Sequence, residues 1–84
     1  MKDGIRHIVG RKISEVIVGD KSSERMQYVF LVFDDGTYFE FYGRDFTCAG
    51  GVDAGTWSDA ASYLKRMGGT IDDIFPDKPS GPWR

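Results

Sequence analysis

Along the chain the apolar positions change period several times, and each change marks an element. Ile5, Ile8 and Val9 recur at i, i+3 and i+4 behind Asp3, a residue suited to a helix N-cap, and Gly10 supplies a stop. That spacing predicts a short helix or turn over 3–9. The next segment, 12–18, is rich in β-branched residues and ends at Gly19-Asp20, the composition of a strand bounded by a turn. A polar loop, 21–25, leads to the continuous apolar run Tyr28-Val29-Phe30-Leu31-Val32-Phe33, which predicts a second strand over 27–34. Asp34-Asp35-Gly36-Thr37 then signals a hairpin into a third strand, 37–42.

Asp35-Gly36 suits the centre of a two-residue type I′ turn, in which both residues take positive φ. The register expected from that turn sets Phe33 against Tyr38, Val32 against Phe39, Leu31 against Glu40, Phe30 against Phe41 and Val29 against Tyr42. One sheet face would then carry Phe30, Val32, Phe39 and Phe41, the expected core, whose burial contributes at most roughly 6–12 kcal/mol before entropy. The other would carry Val29, Leu31, Phe33, Tyr38, Glu40 and Tyr42.

Glycines at 50, 51 and 55 predict a loop of about twelve residues after Gly43. Trp57, Ala60, Ala61, Leu64 and Met67 then recur at helical spacing, with Thr56 placed to cap the first turn and Asp59 to complete a capping box, so a helix is expected over 57–67. Thr70 to Phe75 repeats that grammar in miniature and predicts one more helical turn before Pro76. The expected fold class is α+β: a three-stranded antiparallel meander, 12–18, 27–34 and 37–42, packed against one main C-terminal helix and flanked by short helical pieces. The expected domain is 1–76, followed by a flexible Pro-rich tail, 77–84.

Composition narrows the class. The chain has 84 residues, 40% hydrophobic and 29% charged, which suits one small folded domain and disfavours disorder. No apolar run approaches the roughly 18–20 residues of a membrane span, and no apolar stretch follows Met1-Lys2-Asp3-Gly4 to act as a signal peptide, so a cytoplasmic protein is expected. The single cysteine, Cys48, can form neither an internal disulfide nor a multi-thiolate zinc site.

The formal net charge of −2 is unevenly spread: residues 1–25 carry +2, residues 26–63 carry −5 and residues 64–84 carry +1. Binding to phosphates needs clustered Lys and Arg, whereas the aromatic-rich middle is acidic, so direct nucleic-acid binding is disfavoured.

Candidate chemistry is sparse. His7 and Cys48 lie far apart in sequence, Asp34-Asp35 suits a turn, and Asp72-Asp73 suits a helix N-terminus, so no catalytic set, metal site or cofactor is expected. The stretch Gly50-Gly51-Val52-Asp53-Ala54-Gly55-Thr56 has phosphate-loop glycine spacing but no lysine. The pattern Ile5-x-x-Ile8-x-Gly10, a β-branched strand and Phe33-Asp34-Asp35-Gly36-Thr37 resembles one found in small bacterial and phage proteins; it spans 5–43 at most and implies a hairpin, with no site to transfer.

The second sheet face is the anomaly, because it is apolar and aromatic where a sheet covered by one helix should be polar. The sequence therefore points to a small non-catalytic protein-interaction module, an adaptor, regulator or inhibitor of a protein partner. A basic partner, a nucleic-acid-handling complex inhibited by a phage protein, or a second copy of the chain would fit. Its expected partner-binding residues are Leu31, Phe33, Tyr38, Glu40 and Tyr42. The alternative is a small-ligand or nucleotide sensor or enzyme at the Gly-rich segment, using Thr47, Cys48, Asp53 and Thr56.

Overall fold

A computed structural model describes residues 6–44 and 48–78. It shows an α+β fold in which a five-stranded antiparallel sheet, ordered β4-β3-β2-β1-β5, carries one helix on one face. The strands are β1 (Ile13–Lys21), β2 (Met26–Phe33), β3 (Thr37–Gly43), β4 (Cys48–Ala54) and β5 (Thr70–Phe75), and the helix α1 is Trp57–Arg66. Short 3₁₀ turns occupy Arg6–Ile8 and Ser22–Glu24. The first of these lies within the helix expected over 3–9, of which residues 3–5 fall outside the described residues.

Two of the five strands replace expected loop and helix. Ile71 and Ile74 are three apart, which reads as helical, yet both are buried in the core as parts of β5. A register shift in the β1–β5 ladder accounts for the spacing: Ile74 pairs with Ile17 and Ile71 with Gly19, so one extra residue of β5 lets both isoleucines face inward. The Gly-rich segment is likewise a strand, paired along β3, with its own register shift between Phe39 and Phe41 and with Gly51 at φ +86°.

Gly19 sits inside β1 rather than ending it. A Cβ there would come within 2.3 Å of Leu64 Cδ2 and 2.7 Å of the Thr70 carbonyl oxygen, so the missing side chain is what lets α1 and β5 close onto the sheet.

The hairpin register differs from the expected one by one residue. Val32 pairs with Tyr38, Leu31 with Phe39, Phe30 with Glu40, Val29 with Phe41 and Tyr28 with Tyr42. Continuing that ladder leaves Asp34, Asp35 and Gly36 as a three-residue loop, with Gly36 at φ +80° in the left-handed position such a loop requires. The loop is held from outside. Arg11 pairs with the Asp35 carboxylate and donates to Thr37 Oγ1 at 3.0 Å, while Asp34 N donates to the Lys12 carbonyl at 3.0 Å.

Because side chains alternate across a strand, the slip exchanges every β3 residue between the faces. The helix face gathers Ile17, Tyr28, Phe30, Val32, Tyr38, Ala60, Ala61, Leu64, Ile71 and Ile74 into the core. Phe39 and Phe41, expected beside Phe30 and Val32, instead lie on the far face with Val29 and Leu31, their rings 4.9 Å apart. Phe39 and Phe33 are closed from solvent there, and Arg11 lies 5.8 Å from the centre of the Phe33 ring.

Helix α1 starts as its sequence predicts: the Asp59 carboxylate accepts from the Thr56 amide at 2.8 Å. Beyond β5, Lys78 Nζ pairs with Glu15 Oε2 at 2.8 Å and lies 5.3 Å from the centre of the Trp57 ring, so the chain is still tied to the fold at the start of the expected tail. Residues 79–84 lie outside the described residues. Among the described residues no helix is long and apolar enough to cross a membrane.

Candidate functional site: an acidic cavity lined by tyrosines

Moving β3 over by one residue carries Glu40 and Tyr42 under the helix side of the sheet, where they meet Tyr28 of β2 and Tyr63 of α1. Together these four line a cavity of about 370 Å³ between the C-terminal half of α1 and strands β2, β3 and β4. Met26 and Met67 supply thioether wall, and Asp53 of β4 stands at the rim, exposed.

Glu40 is the unusual member. It is 5% exposed, and it is the buried charged residue among the described ones. The Tyr63 hydroxyl donates to its Oε1 across 3.5 Å, at the long limit of a hydrogen bond and therefore weakly stabilising. Burial pushes the Glu40 carboxyl above the ordinary carboxylate range, the Tyr63 hydroxyl pulls it partly back, and the nearby Asp53 carboxylate pushes it up again. No ion pair joins Glu40 to a cation among the described residues; the three salt bridges found there involve Asp35, Glu24 and Glu15.

Gly50 of β4 explains how the carboxylate is roofed. Built onto Gly50, a Cβ would sit 2.6 Å from Glu40 Oε1, so only a glycine lets this strand pass over the acid without displacing it. The stretch that resembles a phosphate loop thus brings its backbone at Gly50 close to a carboxylate of the chain's own, an anion already in place beside it.

The rings around Glu40 are set by one another. Tyr28 stacks on Tyr42 with centroids 6.2 Å apart and planes 20° from parallel, and Tyr63 meets Phe30 edge to face at 6.0 Å. Burial raises the phenol pKa of Tyr28 and of Tyr63, with the Glu40 charge adding to both, so these hydroxyls remain protonated donors at neutral pH.

Of the residues expected from sequence at a partner surface, Glu40 and Tyr42 line this cavity. Tyr38 is buried beside it, its ring 6.0 Å from Phe30. Leu31 and Phe33 lie on the opposite sheet face, so the five form no common surface. Of the alternative set, Asp53 reaches the rim, Cys48 is exposed opposite Tyr42, Thr56 precedes α1, and Thr47 lies outside the described residues. Tyr28, Tyr63, Met26 and Met67 are not among the residues expected at a site; Met67, at the C-cap of α1, stands four residues after Tyr63, and that spacing is the signal that links them.

A neighbouring cleft of about 490 Å³ shares Met26 and is lined by Asp20, Arg25, Gln27 and Arg44. It is larger, but none of its lining residues is buried, so it fixes no polar group in place. Among the described residues no three His, Cys, Asp or Glu side chains converge as metal ligands would. No protein-family model, curated protein or solved structure matches the chain, so no function transfers from a relative.

Proposed function

We propose that this chain is a small non-catalytic interaction module of the cytoplasm, an adaptor, regulator or inhibitor that takes a cationic side chain of a protein partner into the cavity around Glu40. The observation that carries the reading is a buried carboxylate whose charged neighbour is another carboxylate, Asp53. A buried anion with no cation paired to it among the described residues is costly, and an incoming cation offsets that cost while meeting the rings of Tyr28, Tyr42 and Tyr63. The same field disfavours a phosphate, which sets nucleic acid aside as the direct ligand.

The test is a titration followed by amide NMR with two short peptides that differ at one position, lysine against norleucine. The reading predicts that the lysine peptide shifts the signals of residues 40, 42, 50 and 63, that added salt weakens it, and that Glu40→Gln abolishes it. Equal effects of the two peptides, or lysine-dependent shifts confined to other parts of the chain, would overturn it.

A further inference from the structure

We infer that the group this cavity selects is a methylated ammonium, in preference to a bare ammonium or a guanidinium; the inference rests on the cation-binding reading above and specifies its ligand. A bare ammonium brings three N–H donors and a tightly held hydration shell, so a site that selects it must return several well-placed acceptors. The buried wall offers one carboxylate, Glu40, which already accepts from Tyr63 and is abutted by the β4 backbone at Gly50. That crowding also denies a guanidinium the open, two-pronged carboxylate it prefers. The remaining buried or half-buried wall is made of aromatic rings and thioethers: Tyr28, Tyr42, Tyr63, Met26 and Met67.

Those surfaces suit methyl groups that carry a share of positive charge. Each N-methyl lowers the desolvation cost of the cation and adds contact with electron-rich rings and polarisable sulfur. A diffuse cation then needs from Glu40 a nearby negative charge rather than a directed hydrogen bond, and a buried carboxylate supplies that. The volume, about 370 Å³, lies within the range of sites for small ligands.

A methylated ammonium can arrive on a trimethyllysine of a protein or as free choline, and the two are separated by measuring both. The experiment is isothermal titration of the whole chain with a trimethyllysine peptide, the same peptide carrying unmodified lysine, choline, and a neutral control in which norleucine replaces the lysine. At least one methylated ligand is expected to bind about tenfold tighter than unmodified lysine. A stronger trimethyllysine peptide identifies a protein source, and stronger choline a small-molecule source. Tyr42→Leu, which keeps an apolar wall but removes a ring, should lower the ratio of methylated to unmethylated affinity rather than both affinities equally. Unmodified lysine binding as tightly as both methylated ligands overturns this inference and leaves the cation reading standing. No cationic ligand exceeding the neutral control overturns both.

Discussion

Phe30 stands directly across the hairpin from Glu40, on the same face of the sheet. This pairing places a carboxylate in line with the core rather than at the solvent surface, and the cavity, its charge and its ring walls follow from it.

Glu40 should weaken the fold it belongs to. Its folded-state pKa is raised, chiefly by burial, so the cost of ionising it is present in full above that pKa. The cost declines as pH falls through the raised value and is gone below the unfolded value near 4.5. Glu40→Gln keeps the shape and removes the charge. We expect it to raise the melting temperature by several degrees at neutral pH, about 1 kcal/mol corresponding to ~4–8 °C in a domain of this size, and to show a shrinking advantage on acidification. Thermal scans at neutral and acidic pH check both the sign and its pH dependence. A variant that is more stable but no longer binds is the pattern of a residue retained for function.

Gly50→Ala tests the roof. Its Cβ would meet Glu40 Oε1 at 2.6 Å, and either the acid or β4 must move. The obstructing oxygen is the end of a side chain that borders the cavity and can turn into it, so the expected loss is small, below about 1 kcal/mol by urea denaturation. In the Glu40→Gln background the clash persists but the charge does not, so the double variant separates steric from electrostatic strain.

Gly19→Ala tests the close packing of α1 and β5 on β1. The nearest obstruction besides the Leu64 side chain is a backbone oxygen, the Thr70 carbonyl at 2.7 Å, which cannot rotate away. Destabilisation should exceed that of Gly50→Ala, and Leu64→Ala, which opens a void in a fully buried position, should cost about 2–5 kcal/mol.

These same residues show why the sequence was legible in some places and misleading in others. Helix α1 was plain because its capping box and its apolar spacing agree. Strands β1 to β3 were visible because β-branched and aromatic runs have little other use. Strand β5 was hidden because a register shift turns a strand's spacing of two into three at Ile71 and Ile74, the helical interval. Strand β4 was hidden because its glycines read as a loop, while Gly50 answers to Glu40, a residue distant in sequence. The hairpin slipped because Asp35-Gly36 fits a two-residue turn as well as the last two positions of a three-residue one, and the choice rests on which β3 side chains the helix can cover. Glu40 and Tyr42 stand out in the sequence by their chemistry, while which residues join them around the cavity depends on that register.

Glu15 should behave opposite to Glu40. Burial raises its pKa, but hydrogen bonds from Lys78 and Ser14 together with the Lys78 charge outweigh it, and the net value is lowered. Its stabilisation is therefore present above the unfolded value near 4.5 and is lost as pH falls through the folded one. Lys78→Met removes the ion pair and the contact with the Trp57 ring. A loss of about 1 kcal/mol at neutral pH is expected, diminishing in acid, with Trp57 fluorescence as the reporter.

The most direct measurement is the titration of the Glu40 side-chain carboxyl by carbon-detected NMR, alone and with the saturating lysine or trimethyllysine peptide. A buried acid that receives a cation must show a raised pKa when free and a lower one when bound, since ligand and proton compete for the same charge. The account predicts both. A Glu40 carboxyl that titrates near 4.5 in the free protein and does not move when peptide is added would contradict it.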